Sequence, residues 1–302
     1  MSTFRILSFD GGGIKGALST GILKRLLSKY PQLIDKTDLF AGTSTGALIA
    51  LALAYGQDIN DIDSMYDYKT MKYIFSHPTI NLLKPKFNNK ALIKILNSVF
   101  HPSLTIGDLK KYVFIPSFNT KGFYSDNWEP VFFNNLSKKS TYSIKVIDAA
   151  VASSAAPTYF PSHNNFIDGG VITNNPSMAA IIYTMKILKP KHSICDFRIL
   201  SIGTGNTLNQ IGTDTESWGA LQWMFSPFSK VKTPLVSILL NDSSLAHTYC
   251  EELLGSNYHR INPILKHNIE IDEYKKVSLL KSAADNMDLS EEYKFIENIY
   301  LK

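Results

Sequence analysis

Twice near its start, this chain runs from a short apolar segment through a glycine-rich turn directly into a helical pattern. Arg5-Ile6-Leu7-Ser8-Phe9 reads as a buried strand within 4–10, and Asp10-Gly11-Gly12-Gly13-Ile14-Lys15-Gly16 follows it. Ala17 to Lys29 then places Leu18, Ile22, Leu23, Leu26 and Leu27 on one side of a helix. Leu39-Phe40-Ala41 is a second strand, ended by Gly42-Thr43-Ser44-Thr45-Gly46, and the segment 45–55 beyond it is rich in good helix formers. Further strand candidates at 113–119, 165–167, 197–203 and 258–261 alternate with helical stretches at 91–100, 145–153, 176–187, 235–249 and 276–286. That alternation predicts an α/β fold: three layers, α/β/α, with a mostly parallel central sheet covered on both faces. With 302 residues, 44% of them hydrophobic, the chain can bury a large core, and no linker, repeat or low-complexity tract divides it. Residues 1–302 are therefore read as one domain.

Gly42-x-Ser44-x-Gly46 between a strand and a helix is the setting of a nucleophile elbow. The glycines permit a tight turn that exposes Ser44, and the helix that follows favours negative charge at the turn. The consecutive Gly11, Gly12 and Gly13 are costly in chain entropy. Bare backbone N–H groups converging on an anion would account for them, and an ester hydrolase needs such donors for its tetrahedral oxyanion.

The same loop satisfies a competing template. Gly11, Gly13 and Gly16 match the dinucleotide-binding pattern G-x-G-x-x-G, for which Asp35 would be the ribose-binding acid. Tyr30-Pro31-Gln32-Leu33-Ile34 before Asp35 is a poor strand, however, and no phosphate-binding G-x-x-x-x-G-K-[ST] is present. A serine nucleophile also needs a base. None of the seven histidines has a compelling setting. A Ser-Asp-His triad, in which the histidine comes last, would use His247 or His259. Asp168 is the more suggestive base, released into a Gly169-Gly170 turn at the end of the strand Asn165-Phe166-Ile167.

Asp10-Gly11-Gly12-Gly13-x-x-Gly16, Gly42-x-Ser44-x-Gly46 and Asp168-Gly169-Gly170, in that order, resemble the patatin-like phospholipase family. Ala152-Ser153-Ser154-Ala155-Ala156-Pro157-Thr158-Tyr159-Phe160-Pro161, Asn174-Asn175-Pro176 and Leu200-Ser201-Ile202-Gly203-Thr204-Gly205 resemble further family segments. The likeness spans about residues 4–205 and is loose over 206–302. It implies a patatin-like catalytic domain with a Ser-Asp dyad: Ser44 as nucleophile, Asp168 as base, and the N–H groups of Gly11, Gly12 and Gly13 as the oxyanion hole. Gly42 and Gly46 form the elbow. It also implies a metal-independent lipid acyl hydrolase of phospholipase A or lysophospholipase type, acting on phospholipid or lysophospholipid at a peripheral membrane surface with no cofactor. Two positions depart from the family pattern. Lys15 stands where arginine is common, which removes a planar fork, and Ala47 replaces a second glycine after the elbow.

Composition narrows the remaining classes. The two cysteines, Cys195 and Cys250, match no zinc or redox spacing and are read as plain structural thiols. A net charge of +5 brings no nucleic-acid-binding motif, and no nucleic acid is expected as a partner. Lysines 69, 72, 84, 86, 90 and 94, interleaved with Tyr66, Tyr68, Tyr73, Phe75 and Phe87, suit either a lipid-facing surface or a solvated face over core aromatics. Trp218-Gly219-Ala220-Leu221-Gln222-Trp223-Met224-Phe225 suits a lid, a lipid contact or core packing. No secretory signal or membrane-spanning run is evident, so a cytoplasmic location is expected.

Overall fold

The computed structural model describes residues 3–302 except 82, 139–140, 189–191, 207–210, 213, 227–228, 230–232 and 242–243. Its strands are β1 (Phe4–Phe9), β2 (Leu39–Gly42), β3 (Tyr112–Asn119), β4 (Glu129–Asn134), β5 (Phe166–Asp168), β6 (Phe197–Ile202) and β7 (Tyr258–Ile261). They form one sheet in the order β4-β3-β2-β1-β6-β7, with β5 paired to β3 off that line. The pairings β3–β2, β2–β1, β1–β6 and β6–β7 are parallel, whereas β4 and β5 run antiparallel to β3.

Side chains alternate between two buried faces, as the pleat requires. Leu7, Phe9, Phe40, Leu200 and Ile202 face one helical layer, and Phe4, Ile6, Leu39, Phe197 and Ile199 face the other. The principal helices are α1 (Gly16–Lys29), α2 (Thr45–Tyr55), α3 (Tyr68–Phe75), α4 (Lys90–Val99), α5 (Val146–Ser153), α6 (Ser177–Leu188), α7 (Ala220–Met224), α8 (Pro234–Asn241), α9 (Ser244–Leu254) and α10 (Val277–Asp285). Helices α1, α2, α5 and α10 bury apolar faces in the first layer, and α6 and α9 cover the second. α2 is apolar around its whole circumference and is buried from Thr45 to Ala54, as expected of a helix inside a domain.

The predicted α/β architecture is therefore observed, with departures in its elements. β4, α3 and α7 were not anticipated, and the helix expected over 235–249 is instead α8 and α9, with residues 242–243 outside those described. Cys195 is exposed rather than structural, while Cys250 is buried. In the lysine-rich segment Tyr66, Phe75 and Phe87 are core side chains, whereas Tyr68 and Tyr73 face solvent.

One feature of β3 positions the site. Its edge toward β2 is paired only as far as Ala41↔Phe114, and β5 takes the remainder of that edge through Ser117↔Asp168, Phe118↔Ile167 and Asn119↔Phe166. Because β2 is parallel to β3 and β5 antiparallel, the two strands run toward each other along one edge. Their carboxyl ends meet, and the residues that leave those ends are Ser44 and Asp168.

Candidate active site

Gly42 and Gly46 make the turn possible by close approach. A Cβ on Gly42 would lie 2.0 Å from the Gly46 carbonyl oxygen, and one on Gly46 would lie 2.3 Å from the Phe9 oxygen. Between them Ser44 has φ 54° and ψ −120°, a region costing a non-glycine residue about 1–3 kcal/mol. The surroundings hold it there. The Ser44 N–H donates to Ser153 Oγ at 3.0 Å, and that hydroxyl donates to the Pro116 carbonyl at 2.6 Å. Thr43 Oγ1 donates to the Thr173 carbonyl at 2.9 Å. α2 begins at Thr45, so its positive end points at the turn.

Asp168 is buried, 2% exposed, and its carboxyl lies beside the Ser44 hydroxyl, whose influence lowers its pKa. Its Oδ1 also accepts the Gly170 N–H at 2.7 Å. Burial pushes its carboxyl up to about 7, against the opposing pull of the Gly170 N–H and the Ser44 hydroxyl. Gly169 is needed at the bend because a Cβ there would meet the Pro116 oxygen at 2.2 Å.

The triple-glycine loop lies beside the elbow. Gly12 and Gly13 adopt φ values of 157° and 59°. A Cβ on Gly13 would come within 2.2 Å of the Ile271 carbonyl oxygen, and one on Gly11 within 3.3 Å of Ser44 Cβ. Of the three N–H groups expected as oxyanion donors, that of Gly11 donates to the Asn174 carbonyl at 3.1 Å. Those of Gly12 and Gly13 have no partner among the described residues. A cavity of about 60 Å³ opens against Ser44 and Gly13, with apolar walls that include Leu48, Met71, Ile74, Phe75, Phe160 and Ile271.

The rival readings find little support in the geometry. His247 and His259 sit beside Glu251 and Glu292, and no histidine among the described residues hydrogen-bonds Ser44 or Asp168. The segment before Asp35 is not a strand; Asp35 itself lies in the short helix Leu33–Lys36. Among the described residues no group of three or more His, Cys, Asp or Glu side chains is placed to hold a metal. Lys15 is buried, and burial depresses its ammonium pKa against the opposing charges of Glu270 and Asp10.

A model of the family described as Patatin-like phospholipase matches residues 7–181, a span that contains Ser44, Asp168 and both glycine turns. The chain belongs to the patatin-like phospholipase family. Membership of this family implies a lipid acyl hydrolase. Protein teg of Priestia megaterium is 31% identical, with 98% of this chain and 99% of that protein covered. CotR of Bacillus subtilis is 34% identical over 72% of this chain and 68% of its own length. A cGAMP-activated phospholipase of Escherichia coli is 34% identical over 66% of this chain and 62% of its own.

Several residues around the site carry no sequence motif of their own. Ser153, which supports the Ser44 backbone, could be found only through the Ser/Ala/Pro segment that holds it. Ile271, whose carbonyl accepts the Ile14 N–H at 2.9 Å, and Arg260, which binds Asp10, lie in the part of the chain where the resemblance is loosest.

Proposed function

We propose that this protein cleaves acyl esters of membrane phospholipids or lysophospholipids, with Ser44 as nucleophile and Asp168 as its base. The observation that carries the reading is the buried Asp168 carboxyl set against the Ser44 hydroxyl, where β2 and β5 meet end to end. Ionised Asp168 accepts the hydroxyl proton as Ser44 Oγ attacks the ester carbonyl. The N–H groups of Gly12 and Gly13 stabilise the tetrahedral oxyanion, and Gly11, lacking a Cβ, leaves room beside Ser44. Protonated Asp168 returns the proton to the leaving alcohol, so the acyl group stays on Ser44 and the alcohol departs. Water then loses a proton to Asp168 and attacks the acyl-enzyme, and the fatty acid leaves as Ser44 regains its proton. Each role is filled by a group of this chain, so the scheme requires no metal.

The apolar cavity beside Ser44 suits the start of an acyl chain. A peripheral membrane surface is the setting in which such a substrate is met. In support, α8 rests against the Asp168 turn through Leu240, which contacts Gly170, while Leu235, Ile238 and Leu239 on the same helix are exposed. Leu221, Met224 and Phe225 of the preceding apolar cluster face solvent as well, which favours lipid contact over core packing there. The reading treats residues 1–302 as one catalytic unit, since Ile271 and Asn174 both contact the glycine loop.

The test is hydrolysis of a fluorogenic phospholipid in chelator-containing buffer by wild type, Ser44→Ala and Asp168→Asn. Activity in wild type, with losses of about 10²–10⁴-fold in folded Asp168→Asn and at least as much in Ser44→Ala, is the expected result. Full activity in Asp168→Asn would return the role of base to the histidines.

A further inference from the structure

We propose that Arg260 is a positioning residue of the oxyanion loop, acting through Asp10. This rests on the reading of Gly12 and Gly13 as oxyanion donors.

A loop of three glycines has little conformational preference of its own; something outside it must fix where its N–H groups point. Four contacts do so. Ile271 and Asn174 hold its far end and its near face, and Thr204 Oγ1 donates to the Gly11 carbonyl at 2.9 Å. The fourth is the Asp10 carboxylate, at the point where the chain leaves β1. Arg260 Nη1 and Nη2 grip its two oxygens at 3.1 and 2.5 Å, and Nη1 also donates to Ser201 Oγ at 2.8 Å.

The sheet register explains how a residue so distant in sequence arrives there. Ser8↔Ser201 and Ser201↔Arg260 pair in parallel, so the three lie in a row across β1, β6 and β7 on one face. Asp10 is two residues beyond Ser8 and returns to that face, one diagonal step from the guanidinium. Both charged side chains are enclosed, at 5% and 3% exposure. A buried ion pair is weak evidence for stability, because desolvation offsets the attraction. What a two-pronged guanidinium–carboxylate contact does supply is a fixed orientation. That fork reaches the loop from β7.

The experiment compares wild type, Arg260→Lys, the double variant Asp10→Asn/Arg260→Met and Ser44→Ala. Each is assayed for kcat and KM on a soluble ester, for the rate of labelling by a fluorophosphonate, for affinity toward a trifluoromethyl ketone, and for Tm. A displaced oxyanion donor predicts a fall in kcat of about 10²-fold in Arg260→Lys. KM should stay within about threefold, and labelling rate and ketone affinity should fall in parallel with kcat while Tm is largely retained. The double variant, which removes both members of the pair and leaves Lys15 the opposing charge of Glu270, should remain folded and equally impaired. Wild-type kcat and labelling in folded Arg260→Lys, or in the folded double variant, would overturn the positioning role and leave the dyad intact. Wild-type activity in Ser44→Ala would instead sink the dyad and, with it, any oxyanion role for the loop that Arg260 holds.

Discussion

A carboxyl group enclosed beside the Ser44 hydroxyl, with its Oδ1 held by the Gly170 N–H, titrates near 7, and this single property links activity to stability in opposite senses. As the proposed base Asp168 works only when ionised, so kcat/KM should rise about tenfold per pH unit below 7 and level off above about 8. A profile already flat from pH 5 would exclude Asp168 as the titrating base. For stability the sign reverses. The unfolded chain releases this proton near pH 4, whereas the folded chain keeps it to about 7. Between those values the folded state binds more protons, so stability falls as pH rises. Asp168→Asn abolishes that dependence. Its Tm should match wild type near pH 4 and exceed it at pH 8, by an amount equivalent to at most about 4 kcal/mol; a variant less stable than wild type at pH 8 would contradict this account.

At the scale of single elements, the elbow is constrained from both sides. In Gly42→Ala the new Cβ would lie 2.0 Å from the Gly46 oxygen and 2.7 Å from the Ala47 nitrogen. Both are backbone atoms, so no rotamer relieves the clash, and circular dichroism should show a chain that melts at least roughly 10 °C lower or does not fold. Ser153→Ala is gentler. It strips a partner from the Ser44 N–H and the Pro116 carbonyl, at a cost of about 1–3 kcal/mol, and should lower kcat more than it raises KM. These elements were legible in the sequence because glycines mark the departures from β1, β2, β5 and β6, while α1 shows its period and α2 its run of helix formers. β4 was not, since Pro130 within Glu129–Asn134 argues against a strand; as an edge strand β4 tolerates it. Asp168 was recognised at a strand end, but its meeting with Ser44 depends on β5 sharing an edge of β3 with β2, and no residue pattern encodes that. Arg260 left no local trace, because its meaning comes from register across three strands.

On the scale of the whole molecule, the apolar side chains left in solvent are unevenly spread. From Trp218 to Cys250 the sequence carries Lys230, Lys232 and Asp242 as its only lysines, arginines or acids. The described part of this stretch exposes Leu221, Met224, Phe225, Leu235, Ile238, Leu239, Leu245 and Tyr249. Exposed apolar surface of this kind marks an interaction site, and no helix among the described residues is long and apolar enough to cross a membrane. Flotation with phosphatidylcholine–phosphatidylglycerol vesicles should therefore recover Ser44→Ala, with at least about tenfold less recovery when Ile238→Glu and Leu239→Glu are added. The same pair in the Ser44 enzyme should leave hydrolysis of a soluble ester within about twofold, as α8 meets the Asp168 turn through Leu240. Unchanged flotation would move the contact to another face, and a dimer in light scattering that the pair dissolves would assign this face to self-association.

The edge strand β7 lies more than fifty residues beyond β6 along the chain. A ribosome delivers Ser44, Asp168 and all three glycines well before it delivers Arg260 and Ile271, the residues that pin the glycine loop. A half-made chain thus carries the proposed reactive groups without the parts that align them, and on the proposed reading should hydrolyse no ester until Ile271 has joined the fold.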